Sequence, residues 1–212
     1  MENFSDIDEY HLTIEIHYIN NLYIDEFDPC LNYVNEVELK IKASDEHNDN
    51  IEIGTGHLYL LELETAYYND IDIYDLIDHY SYLENYFSSL INFEEGLYVF
   101  DKTENEIENC ILISEVKLIN EFQGKGIFNE IVRHIEKIFS SNYPYTFLQA
   151  FPLQYEGYLN KQEHLDKIEK YHKGHKKISK KKSIDNLKSA YGKAGFIPSK
   201  IDHLVMYKYN GE

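Results

Sequence analysis

Apolar and polar residues alternate with period two through YHLTIEIHYI, Tyr10 to Ile19, and more cleanly through EVELKIKA, Glu36 to Ala43. That spacing predicts two strands, each with one buried face. The cluster DEHNDN, Asp45 to Asn50, predicts a turn. The run IEIGTGHLYLLELET, Ile51 to Thr65, then reads as one long strand or two. Its Gly54-Thr55-Gly56 superficially suggests a dinucleotide loop, but a third glycine is missing and no helix follows. A bulge or bend within a strand is the better reading.

The period then changes. Ile73, Leu76, Ile77, Tyr80, Leu83, Phe87, Leu90 and Ile91 fall at helical spacing, with negative charge from Asp70 to Asp75 near the start, which predicts one amphipathic helix over DIDIYDLIDHYSYLENYFSSLI. Gly96 to Phe100 and Cys110 to Leu118 predict two strands joined as a hairpin by DKTENEIEN. Ile127 to Phe139 returns to helical spacing and is ended by Asn142-Tyr143-Pro144. Tyr145 to Phe151 predicts a buried strand closed by Pro152, which has no N–H for a ladder. A short helix, Ile184 to Lys193, stops at Gly195, and Leu204 to Tyr209 makes a last strand. The order of elements predicts a mixed α/β (α+β) layer around one sheet, with no internal repeat.

At 212 residues the chain can bury roughly 70% of its extended surface, enough for one core without metals or disulfides. No apolar run approaches the roughly 20 residues that span a bilayer. MENFSDIDEY lacks the basic flank and apolar stretch of a secretory leader. The two cysteines, Cys30 and Cys110, have no paired spacing. Together these lead to the expectation of a cytoplasmic protein without a membrane partner.

Charge changes the picture further. Residues 1–150 carry 31 acidic and 7 basic side chains, whereas residues 151–212 carry 7 and 13. The first field opposes sequence-independent binding to nucleic acid and attracts cations such as amines or lysine-rich segments, although solubility alone also accounts for it. Nine lysines and three acids between Lys161 and Lys182 predict an exposed helix or loop inserted into the fold.

The candidate chemistry lies in EFQGKGIFNEI, Glu121 to Ile131. A strand, then Gln123-Gly124-Lys125-Gly126, then a helix aims free backbone N–H groups at one point, at the positive end of the helix dipole. Glycines let an anion approach the backbone closely. Two readings follow, a plain tight turn or a phosphate seat. The G-x-x-x-x-G-K-[ST] spacing of a Walker loop is absent.

Strand, Q/R-x-x-G-x-G/A and helix, then a further strand and a later Y-x-x-x-G-F, resembles the GNAT superfamily of acyl-CoA N-acyltransferases. Here the first element is Gln123-Gly124-Lys125-Gly126-Ile127-Phe128, and the last is Tyr191-Gly192-Lys193-Ala194-Gly195-Phe196. Phe151-Pro152-Leu153-Gln154-Tyr155-Glu156 is similar to an F-P-L-Q-[FY]-E run after the fifth strand in one branch of that superfamily, and LIDHYS, Leu76 to Ser81, is similar to a helix segment of the same branch. The likeness covers roughly Ile51 to Tyr209. It implies one GNAT-like domain over 1–212, a mixed and mostly antiparallel sheet flanked by helices. An acidic N-terminal extension (about 1–50) and a Lys-rich insert (about 156–183) would be added to it. The family prefers Gly or Ala where this chain has Phe128. A bulky group there either narrows a pyrophosphate seat or points inward and leaves the amides free.

The resemblance implies acetyl-CoA as cosubstrate. Its pyrophosphate would lie on the turn formed by Gln123, Gly124, Lys125, Gly126, Ile127 and Phe128, and its pantetheine arm along Val116, Lys117 and Leu118. It also implies that the Tyr191 phenol protonates the departing thiolate; a core tyrosine is the plain alternative. Presenting a neutral alkyl amine at pH 7 costs about 4.6 kcal/mol, so a base is needed. Glu115, on the strand leading into the turn, is the first candidate, followed by Glu62 and Glu64 on one face of an earlier strand. His172 and His175 form an H-x-x-H pair among lysines with no third ligand, so no metal is expected. Neither cysteine has a recognisable histidine partner for thiol catalysis. The expected function is N-acetyl transfer to an amine, a small cation or a protein lysine or N-terminus. The alternative is a catalytically silent acidic protein of the same fold that binds a basic partner.

Overall fold

The period-two stretches become strands. A computed structural model describes residues 11–19, 29–44, 50–101, 105–152 and 179–210. Within these, β1 (His11–Tyr18), β2 (Val34–Ser44) and β3 (Ile51–Leu61) are successive antiparallel neighbours. Three short helices follow, α1 (Leu63–Tyr68), α2 (Ile73–Asp78) and α3 (Ser81–Phe87). The two-residue strands β4 (Ile91–Asn92), β5 (Leu97–Tyr98) and β6 (Asn105–Glu106) make a small separate sheet. β7 (Cys110–Leu118), α4 (Ile127–Phe139), β8 (Tyr145–Gln149), α5 (Lys180–Lys193), β9 (Ile197–Pro198) and β10 (Val205–Tyr209) complete the order. The large sheet has seven strands in the order β1-β2-β3-β7-β8-β10-β9; only β7 and β8 run parallel. The architecture is α+β with a mostly antiparallel sheet. β1 and β2, from the first 50 residues, are part of that sheet.

The sheet is buried on both faces, by different partners. Leu39, Ile41, Leu58, Ile111, Ile113 and Leu148 point to one side and pack against Ile131, Val132 and Ile135 of α4. Leu61, Leu112, Phe147 and Val205 point to the other side and pack against Leu76, Ile77, Leu83 and Phe87 of α2 and α3. Each such side chain withdrawn from water contributes about 1.5–3 kcal/mol. A slip of one residue in β2 would exchange Val37, Leu39 and Ile41 with Glu36, Glu38 and Lys40, so the core fixes the register.

Gly54 is where two strands come too close for a side chain. A Cβ there would stand 2.2 Å from the Lys117 carbonyl oxygen. The β2–β3 register shifts beside it, between Ile41 and Lys42. The bulge or bend read from Gly54-Thr55-Gly56 is present as that register shift, and the close approach of β7 requires glycine at position 54.

Two expectations are corrected. The stretch Asp70 to Ile91 is not one helix: α2 ends at Asp78, and Tyr80 is extended (φ −114°, ψ 101°) before α3 begins. Tyr80 turns its ring edge toward Tyr59, with centroids 6.2 Å apart, while Leu76, Ile77, Leu83 and Phe87 reach one core from both sides of the break. Nor do Gly96–Phe100 and Cys110–Leu118 form a hairpin. β5 pairs with β4 and β6, whereas β7 enters the large sheet between β3 and β8. The greater part of the Lys-rich insert lies outside the described residues.

Candidate active site

β7 pairs with two strands at its start and with one at its end. Cys110 to Ile113 run parallel beside Tyr145 to Leu148 of β8, and there the pairing stops. On the other edge, Leu58 faces Ile113 but His57 faces Glu115, which leaves Ser114 as the extra residue of a β-bulge. A bulge bends its strand and sharpens its twist. The gap between β7 and β8 therefore begins at the bulge.

Ile113, Ser114, Glu115 and Val116 line one side of the gap, and Leu148, Gln149 and Phe151 the other; Phe128 and Tyr191 also border it. They enclose about 30 Å³, room for roughly one water. Phe128 points inward, its ring 4.8 Å from that of Tyr191. Burial pushes the Tyr191 phenol up to about 12, so it is a protonated donor at neutral pH. Lys180 carries its ammonium 4.5 Å from the centre of the Phe151 ring, which ties the start of α5 to the same wall.

Leu118 leads through Phe122 into the glycine turn. Gly124 (φ +74°) and Gly126 (φ +81°) are both left-handed, and Gly126 stands immediately before α4 without a side-chain cap. L-residues enter this region only at a cost, which explains the glycines. Among the described residues, no acceptor takes the N–H groups of Gly124, Gly126, Ile127 or Phe128. The space in front of Gly124 is open: a Cβ there would meet nothing within 4 Å. Gln123 donates its side-chain amide to the Leu118 carbonyl at 2.6 Å, bracing the turn against β7, and Lys125 lies over the Phe122 ring.

These amides suit a diphosphate, since they are unspent donors at the positive end of a 13-residue helix. The splayed part of β7, Val116 to Leu118, suits an extended arm because β8 gives it no ladder. The acyl end is a tighter matter, since the gap there holds only about 30 Å³.

Glu115 lies in the gap and is ion-paired with Lys117. Glu62 and Glu64 do not join it. Both lie beyond the end of β3, Glu62 preceding α1 and Glu64 in its first turn, next to the Cys110 end of β7 rather than the Leu118 end. With Glu108, Asn109 and Tyr143 they line a separate cavity of about 830 Å³. Tyr143 donates to Glu62 at 3.3 Å, and Asn109 accepts from the N–H groups of Glu64 and Thr65 at 3.1 and 3.4 Å. Asn109 thus caps the first turn of α1 through the backbone, and the strand placement expected of Glu62 and Glu64 is corrected. His172 and His175 lie outside the described residues, as do Leu153 to Glu156 of the F-P-L-Q-Y-E run.

The sequence reading missed His57. It stands across β3 from Glu115, with Nδ1 2.8 Å from Ser114 Oγ and Nε2 3.4 Å from Glu36 Oε2. A histidine among alternating strand residues gives no signal of such a contact, because the bulge that creates it belongs to the neighbouring strand.

No helix among the described residues is long and apolar enough to cross a membrane. In comparisons of the chain with family models, with curated proteins and with solved structures, nothing matched.

Proposed function

We propose that the protein is a cytoplasmic N-acetyltransferase of the GNAT type, moving an acetyl group from acetyl-CoA to an amine. The observation that carries this reading is the opening of the β7–β8 pair at a bulge, with the unspent amides of Gly124, Gly126, Ile127 and Phe128 at one end and Tyr191 bordering the gap. Acyl transfer between a thioester and an amine needs an anion seat, a free strand edge and a proton donor for sulfur, and these converge here.

In this reading the turn amides and the dipole of α4 bind the pyrophosphate, where charge-assisted N–H bonds are roughly twice as strong as neutral ones. The edge of Val116 to Leu118 holds the pantetheine arm and polarises the carbonyl. Tyr191 gives its proton to the leaving sulfur, and a base near Glu115 receives the proton of the amine. The acidic field of residues 1–150 draws a cationic acceptor toward the site.

Isothermal titration with acetyl-CoA tests the reading directly. Micromolar binding that Gly126→Arg abolishes supports it; neither heat nor thermal shift at millimolar CoA ends it. The tight 30 Å³ gap favours one rival, a silent protein of the same fold whose acidic surface engages a basic partner. Recovery of a stoichiometric basic partner that CoA does not disturb, together with no turnover on a mixture of amines, selects that rival.

A further inference from the structure

We infer that Ser114, His57 and Glu36 form a proton relay that accepts the proton of the attacking amine, with the Ser114 hydroxyl as its mouth in the gap between β7 and β8. The inference rests on the acyl-transfer reading above, and supplies the base that reading requires.

Three adjacent strands contribute one residue each. In an unbroken ladder successive side chains of β7 would alternate between faces. The bulge instead gives His57 two close neighbours on that strand, Ser114 and Glu115. Ser114 lines the gap and also reaches the imidazole, while Glu36 reaches the far nitrogen from β2. The other groups facing the ring are Tyr59, edge-on at 4.8 Å, Glu38, opposite it in the β2–β3 register, and Glu115, already ion-paired with Lys117. The pairing with Lys117 occupies Glu115 and leaves the imidazole as the group that Ser114 reaches.

The hydrogen bonds allow two complete arrangements and a passage between them. Ser114 Oγ has two acceptors in reach, His57 Nδ1 at 2.8 Å and the His57 carbonyl oxygen at 2.9 Å. With the hydroxyl proton on Nδ1, the ring is neutral and its own proton, on Nε2, faces Glu36. When Oγ takes a proton from the amine and yields its own to Nδ1, the ring becomes imidazolium beside the Glu36 carboxylate. The hydroxyl then turns to the His57 carbonyl. Ser114 Oγ and both ring nitrogens keep a partner in either arrangement, and only the His57 carbonyl gains or loses the hydroxyl, which suits a low-cost relay. During transfer the C–N bond forms and the C–S bond breaks. The amine proton ends in the relay, and the sulfur takes the proton of Tyr191.

Two measurements test this, one of them independent of turnover. Nuclear magnetic resonance of histidine-labelled protein, with His57 assigned from the signal lost in His57→Gln, reads the tautomer of the neutral ring. The relay requires the proton on Nε2 and loss of that preference in Ser114→Ala. A neutral ring protonated on Nδ1 in the unsubstituted protein overturns it. For turnover, Ser114→Ala should lower kcat about 10²-fold with the acetyl-CoA dissociation constant unchanged, and Ser114→Thr should restore most of it. Full activity in Ser114→Ala, or acetylated Ser114 in quenched reactions, overturns the relay while leaving the acyltransferase reading standing. Absence of CoA binding removes that reading and, with it, the relay's role as amine base.

Discussion

The rings of Phe128 and Tyr191 lie 4.8 Å apart at 40° to one another, so the first turn of α4 and the last of α5 share one wall of the gap. The residue that departs from the family pattern at the glycine turn is thus the residue that packs on the expected proton donor. Phe128→Ala removes a half-buried ring and should cost about 1–3 kcal/mol, below the range for a fully buried phenylalanine. It should also widen the gap. Denaturant unfolding and acetyl-CoA titration of the same variant check both parts, and the expected result is lower stability with severalfold tighter binding.

Tyr191 itself should matter to the chemistry more than to binding. Its phenol is pushed up to about 12, so it stays protonated across the range in which amines are acetylated. Tyr191→Phe keeps the ring that Phe128 needs and deletes only the donor. The expected outcome is kcat lowered by about 10²-fold with KM for acetyl-CoA nearly unchanged, measured by release of free thiol.

Gly54 and Gly124 make a paired test of what glycine does here. At Gly54 a Cβ would lie 2.2 Å from the Lys117 carbonyl and 2.7 Å from a Leu118 methyl, so β3 and β7 must part; Gly54→Ala should cost about 3 kcal/mol. On the proposed function, the parting also displaces the strand edge that would take the pantetheine arm. At Gly124 nothing lies within 4 Å, and Gly124→Ala meets only the backbone penalty of φ +74°, about 1–2 kcal/mol. Urea midpoints of the two variants should differ in that order.

The strands and helices that carry the site were legible because their apolar faces are regular. Ile127 to Phe139 is α4 with the same bounds, β2 alternates in burial as it does in sequence, and β8, read as a short apolar run, is buried at its three central residues. The glycine turn was legible as well, since two positive φ angles at a strand-to-helix junction demand glycine. The break between α2 and α3 was not: Tyr80 keeps helical spacing while its backbone is extended, and its ring meets that of Tyr59, on a strand remote in the chain. β7 looked like half of a hairpin because its partners, β3 and β8, are remote in the chain. The Glu36–His57–Ser114 contact was hidden for the same reason, being set by a bulge whose pattern lies in the pairing of two strands.

Removing Phe147 should unfold much of the layer opposite α4. Its ring lies 5.4–5.7 Å from those of Phe87, Tyr98 and Phe100, and it is fully buried. Phe147→Ala should cost about 3–5 kcal/mol, whereas Phe147→Leu, which keeps most of the volume, should cost less than half of that. Near-ultraviolet circular dichroism, dominated by this aromatic cluster, should weaken in the first variant before the far-ultraviolet signal does.

Alkaline pH should destabilise the protein, with a buried thiol contributing at the low-pH end of the window. Burial pushes Cys110 from 9.0 to about 12, and pushes Tyr59, Tyr145 and Tyr191 from 10.0 to about 12. In each case the folded state holds a proton that the unfolded chain releases at lower pH. The stabilisation is therefore complete below the unfolded pKa and is lost as pH rises toward the folded one. Cys110 enters this window first, near pH 9, and being wholly buried it should contribute a fall of about 1.4 kcal/mol per pH unit; the tyrosines follow above pH 10. Cys110→Ala leaves a small cavity, a constant cost of about 1 kcal/mol at every pH, but removes the thiol's share of the slope between pH 9 and 10 and leaves the share of the buried tyrosines. Urea unfolding from pH 8 to 10.5 separates the two effects. If the variant keeps the slope of the unsubstituted protein, the early loss belongs to another group and the thiol is not its source.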